Sequence, residues 1–217
     1  MKILIFGDVH GNLPALEMMF LQEKNNFDFF ICHGDIVNYG PWSNDCLNLL
    51  SIYNNGTLLL GNHEENYISG VYAGTHPIAK AFFEYCYPKF DKTLIPVINA
   101  FQKKIQVETF VIQHTLNNQY IFADSDISDI NISTNYIFGH SHQQFERSKN
   151  NFKLYNTGSI GQNRALINLS CYLKLDTEKK TVELKNFVHD IDKVINQMEF
   201  EKYPQICIDY YKSKKRV

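Results

Sequence analysis

The sequence predicts an α/β protein in which two packed sheets are surrounded by helices. Two observations carry that expectation: a strand–loop–helix rhythm from Lys2 to Leu60, and a series of short apolar strands from Glu108 onward. Between them, residues 64–104 break the rhythm with a helical, aromatic-rich stretch.

Lys2–Phe6 is a short apolar run, followed by a glycine-containing loop and the amphipathic stretch Leu13–Asn25, which together read as strand, loop and helix. The pattern repeats with a strand over Phe27–Cys32, a loop over Gly34–Trp42 and a helix over Ser43–Tyr53, with Ser43 expected to cap it. Thr57–Leu60 is a third strand, running into a loop at Gly61. This alternation implies parallel βαβ units and a sheet covered by helices. Residues 64–104 are expected to be mostly helical, with Pro77, Pro88 and Pro96 as interruptions. Their aromatics, including Tyr67, Tyr72, Phe82, Phe83 and Tyr85, are expected to pack helices rather than stack a base. Strands follow at Thr109–Gln113, Gln119–Ala123, Tyr136–Phe138, Gln144–Ser148 and Phe152–Tyr155. A hairpin of Leu169–Asp176 and Thr181–Val188 turns at Thr177–Lys180, and a helix over Ile191–Tyr203 closes the expected fold.

A chain of 217 residues suits one well-buried domain, so 1–217 reads as a single unit, with no repeat, linker or low-complexity segment. With 44% hydrophobic and 20% charged residues the composition is that of a soluble globular protein. A net charge of -2 gives no global attraction to nucleic acid, and the basic residues are dispersed, so a nucleic-acid-binding module is not expected. Only Lys212–Arg216 concentrates positive charge, and it reads as a solvated tail. No apolar run is long enough to span a bilayer, and no secretory signal precedes the first strand. The five cysteines, Cys32, Cys46, Cys86, Cys171 and Cys207, are scattered without a CxxC pair, which suggests reduced thiols and a cytoplasmic protein. Nothing in the pattern bears on oligomeric state.

Five clusters sit just after expected strands: Asp8-Val9-His10, Gly34-Asp35, Gly61-Asn62-His63-Glu64, His114, and Gly139-His140-Ser141-His142. Open α/β sheets place their sites on the loops leaving the carboxyl ends of strands. Asp8, His10, Asp35, Asn62, His114, His140 and His142 offer imidazole, carboxylate and amide donors with no thiolate, a set suited to Mn, Fe, Zn or Ni. These are too many donors for one ion. If Asp35 bridges, Asp8, His10 and His142 complete one site while Asn62, His114 and His140 complete the other. Two ions about 3.5–4 Å apart can polarise a phosphoryl oxygen and generate a hydroxide at neutral pH. Gly34-Asp35 alone means little, but a fixed string such as Gly61–Glu64 arises by chance in roughly one chain in a thousand of this size. Its coincidence with Gly139–His142, in order and each after a strand, is what makes the cluster informative. His33, His76 and His189 lack such companions and are read as structural, with His33 turned away from Asp35.

This order of clusters resembles the calcineurin-like metallophosphoesterase superfamily from residue 3 to about residue 176. Gly34–Pro41 (Gly-Asp-Ile-Val-Asn-Tyr-Gly-Pro) and Asn156–Gln162 (Asn-Thr-Gly-Ser-Ile-Gly-Gln) look like its bacterial and archaeal small phosphodiesterase branch. The resemblance implies a four-layer α-β-β-α sandwich and two divalent metal ions, manganese foremost. Asp8, His10, Asp35 and His142 would hold the first metal and Asp35, Asn62, His114 and His140 the second. His63 would approach the leaving group. The implied reaction is hydrolysis of a phosphodiester, in a small phosphoester or nucleotide substrate, by a metal-bridging hydroxide.

Departures from relatives bear on the substrate. Protein-phosphatase relatives have Asp where Asn38 stands and Arg where Tyr39 stands. Without the carboxylate His63 is a poorer imidazolium, and without the Arg a bidentate clamp on a dianionic phosphate is missing. Both changes lean toward diesters. Thr157 replaces the more usual Pro of its loop, and Glu64 stands where the branch more often has Asp. Asn38, Tyr39, Gly158, Ser159 and Arg164 are the candidate substrate contacts, although a tight turn accounts equally well for Gly158. The alternatives are a phosphomonoesterase or nucleoside-polyphosphate hydrolase, and a non-catalytic protein-binding scaffold like the retromer subunit of this fold. The complete ligand set argues against the scaffold.

Overall fold

In the computed structural model, which describes Met1–Val217, the first sheet is ordered β10-β9-β1-β2-β3. Its strands are β1 (Lys2–Phe6), β2 (Phe29–Cys32), β3 (Gly56–Leu58), β9 (Leu169–Asp176) and β10 (Thr181–Val188). β1, β2 and β3 run parallel, while β9 and β10 join as an antiparallel hairpin on the β1 edge. The second sheet, ordered β4-β5-β6-β8-β7, holds β4 (Lys104–Val107), β5 (Phe110–Gln113), β6 (Asn135–Phe138), β7 (Gln144–Lys149) and β8 (Phe152–Thr157). Both sheets are mixed and helices flank them, as expected.

Alternation along β1 explains the layers. Ile3 and Ile5 point into the space between the sheets, where Ile31, Leu59, Leu173 and Leu175 meet Ile112, Ile137 and Tyr155 of the second sheet. Leu4 and Phe6 point the other way, onto α1 (Leu13–Gln22) and α2 (Ser43–Ile52), against Leu16, Met19, Leu47 and Leu50. α3 (Asn62–Ser69), α4 (Pro77–Cys86) and α5 (Ile95–Asn99) form the aromatic-rich segment. In it Tyr67 packs edge-on against Phe83, Tyr87 and Phe90, so these rings pack helices as expected.

Four local expectations are corrected. Gln119–Ala123 is not a strand: left-handed Asn117 and Asn118 turn the chain, only the Leu116–Gln119 bridge forms, and Ile121 is buried with Ile127, Ile130 and Ile132 on Phe138, Phe145 and Leu154. Ser43 is the first residue of α2 rather than its cap, because its hydroxyl accepts the Asn38 N–H at 3.0 Å. β4 was not expected, since its half-exposed Lys-Ile-Gln-Val alternation on a sheet edge carries a weak apolar signal. Finally, the helix over Ile191–Tyr203 does not close the fold, and Lys212–Arg216, largely exposed as expected, is tied down. The chain after α6 (Ile191–Phe200) forms α7 (Gln205–Lys212), which packs Cys207, Ile208 and Tyr211 against Phe82 of α4 and Met198 of α6. Beyond it Lys215 O accepts the Ile167 N–H, and Arg216 pairs with Asp192 at 2.8 Å. The cysteines are free and buried, and no helix is long and apolar enough to cross a membrane.

Candidate metal centre

The site is assembled where strands of both sheets end. Past β1 and β2 the two loops stay stitched together: Asp8 N donates to Gly34 O, His10 N to Asp35 O and Gly11 N to Ile36 O, at 2.8–3.0 Å. The turn after β8 holds the first loop from the other side, with Gly161 N and Ser159 Oγ both donating to Asp8 O. To bring side chains onto one point, these loops curl sharply. Asp8, His10, Asp35, His140 and His142 all have positive φ, between 48° and 67°. A non-glycine residue in that region carries backbone strain, and such strain clusters at functional sites.

The expected ligands converge. Asp8, His10 and His142 form one group and Asp35, His114 and His140 another, each with its donor atoms within 4.8 Å of one another. His114 Nε2 also lies 3.0 Å from Asn62 Oδ1 and 3.2 Å from His140 Nδ1. His10 Nε2 and His142 Nε2 face each other at 3.1 Å. Asp35 sits between the groups, with Oδ2 3.1 Å from His114 Nε2, 4.0 Å from His10 Nε2 and 3.9 Å from His63 Nε2. A third group joins Asp8 and His114 to His33.

The donors fit divalent metal. Asp8 Oδ1, His10 Nδ1 and His114 Nδ1 are buried without a hydrogen-bond partner, and buried polar atoms are rarely left so. Of these, Asp8 Oδ1 faces the cluster, 3.2 Å from His142 Nε2, which in turn lies 3.1 Å from His10 Nε2. Burial pushes His10 down, helped by His142, and holds His140 down at about 3, so both imidazoles are neutral and free to coordinate. Burial pushes the Asp35 carboxyl up, but His114 and His63 outweigh it and hold the group well below the usual carboxylate range. Burial would lower His114, but Asp35 outweighs it and lifts the ring to about 9, as though a proton took the place of a cation. The surrounding residues fix ring orientation: His142 Nδ1 donates to Gln162 O at 2.7 Å, leaving Nε2 to face the cluster. Asp8 Oδ2 accepts the His140 N–H, and Asp35 Oδ1 accepts the His63 N–H.

Several residues stand differently from the sequence reading. His33 does not turn away. Residues 31 and 33 share a face, and its fully buried ring lies 5.8 Å from that of His114, in space that a Cβ on Gly7 or Gly139 would fill. The Thr157 hydroxyl donates to Gly158 O and accepts from His33 Nε2 at 2.7 Å, which gives the replacement of Pro a role. Gly158 and Ser159 are not exposed to a substrate: Ser159 is fully buried on Asp8 O, and Gly158 turns with φ +76° against Cys171. Asn38 is buried with its amide 3.0 Å from His63 Nδ1, and the Tyr39 ring stands 4.8 Å from His10 and 5.3 Å from His63. Arg164 is exposed, over the ring of Tyr120, which stacks on His140 at 4.0 Å. His189 is structural as expected, held between Asn12 and Ser170, while His76 precedes α4 away from the cluster.

Glu64 does more than the sequence suggested. Its carboxylate accepts the N–H groups of Asp35, Ile36, Val37 and Gly61 at 2.7–3.1 Å, which ties the start of α3 to the Asp35 loop. The signal available was its place at the third position of α3, behind Gly61, where a carboxylate reaches back to free N–H groups.

Comparison with known proteins agrees with this geometry. The family model described as calcineurin-like phosphoesterase matches residues 1–167. An uncharacterized protein of Methanocaldococcus jannaschii is 28% identical over 94% of both chains. The metallophosphoesterase structure from Sphaerobacter thermophilus superimposes with a TM-score of 0.81 at 21% identity, covering 98% of both chains. A hypothetical protein from Pyrococcus horikoshii OT3 gives 0.80 at 14% identity over 97% of both. With its clustered His and Asp donors able to hold metal, the chain belongs to the calcineurin-like phosphoesterase family and is a metal-dependent hydrolase of phosphoric esters.

Proposed function

We propose that the protein is a dinuclear phosphodiesterase. The observation that carries the dinuclear reading is Asp35, whose one carboxylate reaches toward both donor groups. Asp8, His10 and His142 would hold one ion, and Asn62, His114 and His140 the other, with Asp35 shared. When bound, two divalent ions supply Lewis acidity toward phosphoryl oxygens and acidify a water to near neutral pH.

The chain's own residues favour a diester. His63 Nδ1 is held by the Asn38 amide, which directs Nε2 toward Asp35 and the cluster. Burial lowers the His63 pKa, opposed by Asp35. As an imidazolium His63 would donate its Nε2–H to a departing alkoxide and be left neutral, and the neutral amide beside it does little to hold that extra proton. The apolar Tyr39 ring takes the position where an arginine would grip a second negative charge. A monoester dianion would meet less positive charge here than it requires, whereas a diester carries only one negative charge to be held.

Metal content and turnover test the reading together. Reconstituted protein should hold two ions per chain and cleave bis(4-nitrophenyl) phosphate, whereas Asp35→Asn should lose metal and most activity. Saturation at one ion with full turnover would sink the dinuclear reading. His63→Ala should keep both ions and slow alkyl diesters far more than aryl diesters, within the ~10² to 10⁴ range of general acid assistance. Equal slowing of both esters would remove the proton-donor role.

A further inference from the structure

Beyond the cluster, the rim carries two cations that no carboxylate neutralises. Arg164 follows the turn after β8, and its guanidinium lies 4.9 Å from the Tyr120 ring centroid and 5.9 Å from that of Phe122. Tyr120 in turn stacks on His140 at 4.0 Å and 24°, so Arg164 is two layers out from the metal cluster. Arg164 and His142 also line one cavity of about 470 Å³. The second cation arrives from the C-terminus. Lys214, just past α7, lies 4.5 Å over the ring of Tyr210, whose centroid is 6.4 Å from that of Tyr39. Lys214 is half-buried, and the next residue's carbonyl, Lys215 O, accepts the Ile167 N–H at 2.9 Å, which runs the tail along the segment that follows Arg164. In keeping with this, burial and then the charge of Arg164 lower the Lys214 pKa.

Their neighbours in the tail behave differently. Lys212 pairs with Glu199 and Arg216 with Asp192, while neither Arg164 nor Lys214 makes an ion pair. Two unpaired cations on neighbouring segments, held by aromatic rings near a phosphoesterase site, are arranged to receive an anion. The aromatic rings already have partners: Tyr120 packs against His140 and Arg164, and Tyr39 against Phe82 and Tyr210.

We propose that Arg164 and Lys214 form an outer subsite for a second phosphate group of the substrate, apart from the phosphodiester that is cleaved. This rests on the diesterase reading and narrows it to esters that bear a further phosphate.

A matched pair of probes tests it: thymidine 5′-(4-nitrophenyl phosphate) and the same ester carrying a 3′-phosphate. They share base, leaving group and scissile bond and differ by one phosphate. The wild-type protein should prefer the 3′-phosphorylated ester in kcat/KM, mainly through KM. Arg164→Gln with Lys214→Gln should lower that preference by about tenfold, the scale of a lost charge-assisted contact. Lys214→Gln alone should move it in the same direction, and Arg164→Lys should restore part of it. Equal kcat/KM for the two esters in the wild type would overturn the subsite while leaving the diesterase reading standing. So would a preference that survives the double substitution. Failure to cleave either ester would overturn both.

Discussion

At the scale of single residues, the site depends on side chains that never meet a substrate. Glu64 is fully buried, and burial, with the charge of Asp35, pushes its carboxyl up to about 7 against the pull of its N–H partners. The four N–H groups it accepts belong to the loop that aims Asp35 and to the start of the helix that carries Asn62 and His63. Glu64→Ala leaves those donors in a dry interior, at a cost of about 1–3 kcal/mol for an unsatisfied buried group. Glu64→Ala should therefore lower the urea midpoint and also weaken metal affinity, while Glu64→Asp, one methylene shorter, should lose less of both. Unchanged metal affinity in a folded Glu64→Ala protein would show that the loop aims Asp35 unaided. The expected donors were legible in the sequence because the chemistry of a ligand is its residue type. Glu64 was less so, since its role lies in backbone groups 27–29 positions away, and His33 was misjudged because its neighbourhood is made by Gly7 and Gly139 from other strands.

At the scale of elements, strands and helices with one clear period were readable to within a few residues. β1, β9 and β10 fall where the apolar runs place them. α7 was missed because its apolar residues, Cys207, Ile208 and Tyr211, are few and lie among basic and polar neighbours. Its importance becomes visible only against α4 and α6, where Tyr211 is fully buried beside Phe82. Tyr211→Ala should therefore cost about 3–5 kcal/mol, as for other large-to-small changes of a buried aromatic. Phe200→Ala, at the end of α6 and 81% exposed, should stay within about 0.5 kcal/mol. Chemical denaturation of the two variants separates them, and similar midpoints would mean that α7 is not part of the cooperative core.

At the scale of the molecule, metal binding and folding are one equilibrium. The donors come from the ends of strands in both sheets, so they converge only when the sheets are packed. The unfolded chain scatters them from Asp8 to His142 and cannot offer the same site. An ion that binds only the folded form stabilises it by about 2.7 kcal/mol at a hundred times its Kd. Chelation should accordingly lower Tm, and returning Mn²⁺ should restore it. The pH dependence has a definite sign. Asp35 raises His114 to about 9 in the metal-free cluster, so at neutral pH that ring must give up a proton before its nitrogen can coordinate. The Tm gain from metal should therefore shrink as pH falls from about 9 toward neutrality and below. Removing His114 as a donor by His114→Ala should flatten that dependence while leaving a smaller gain from the Asp8, His10 and His142 group. A metal-induced shift in Tm that is constant over this range would show that His114 is not displaced from its proton, and would remove it from the ligand set.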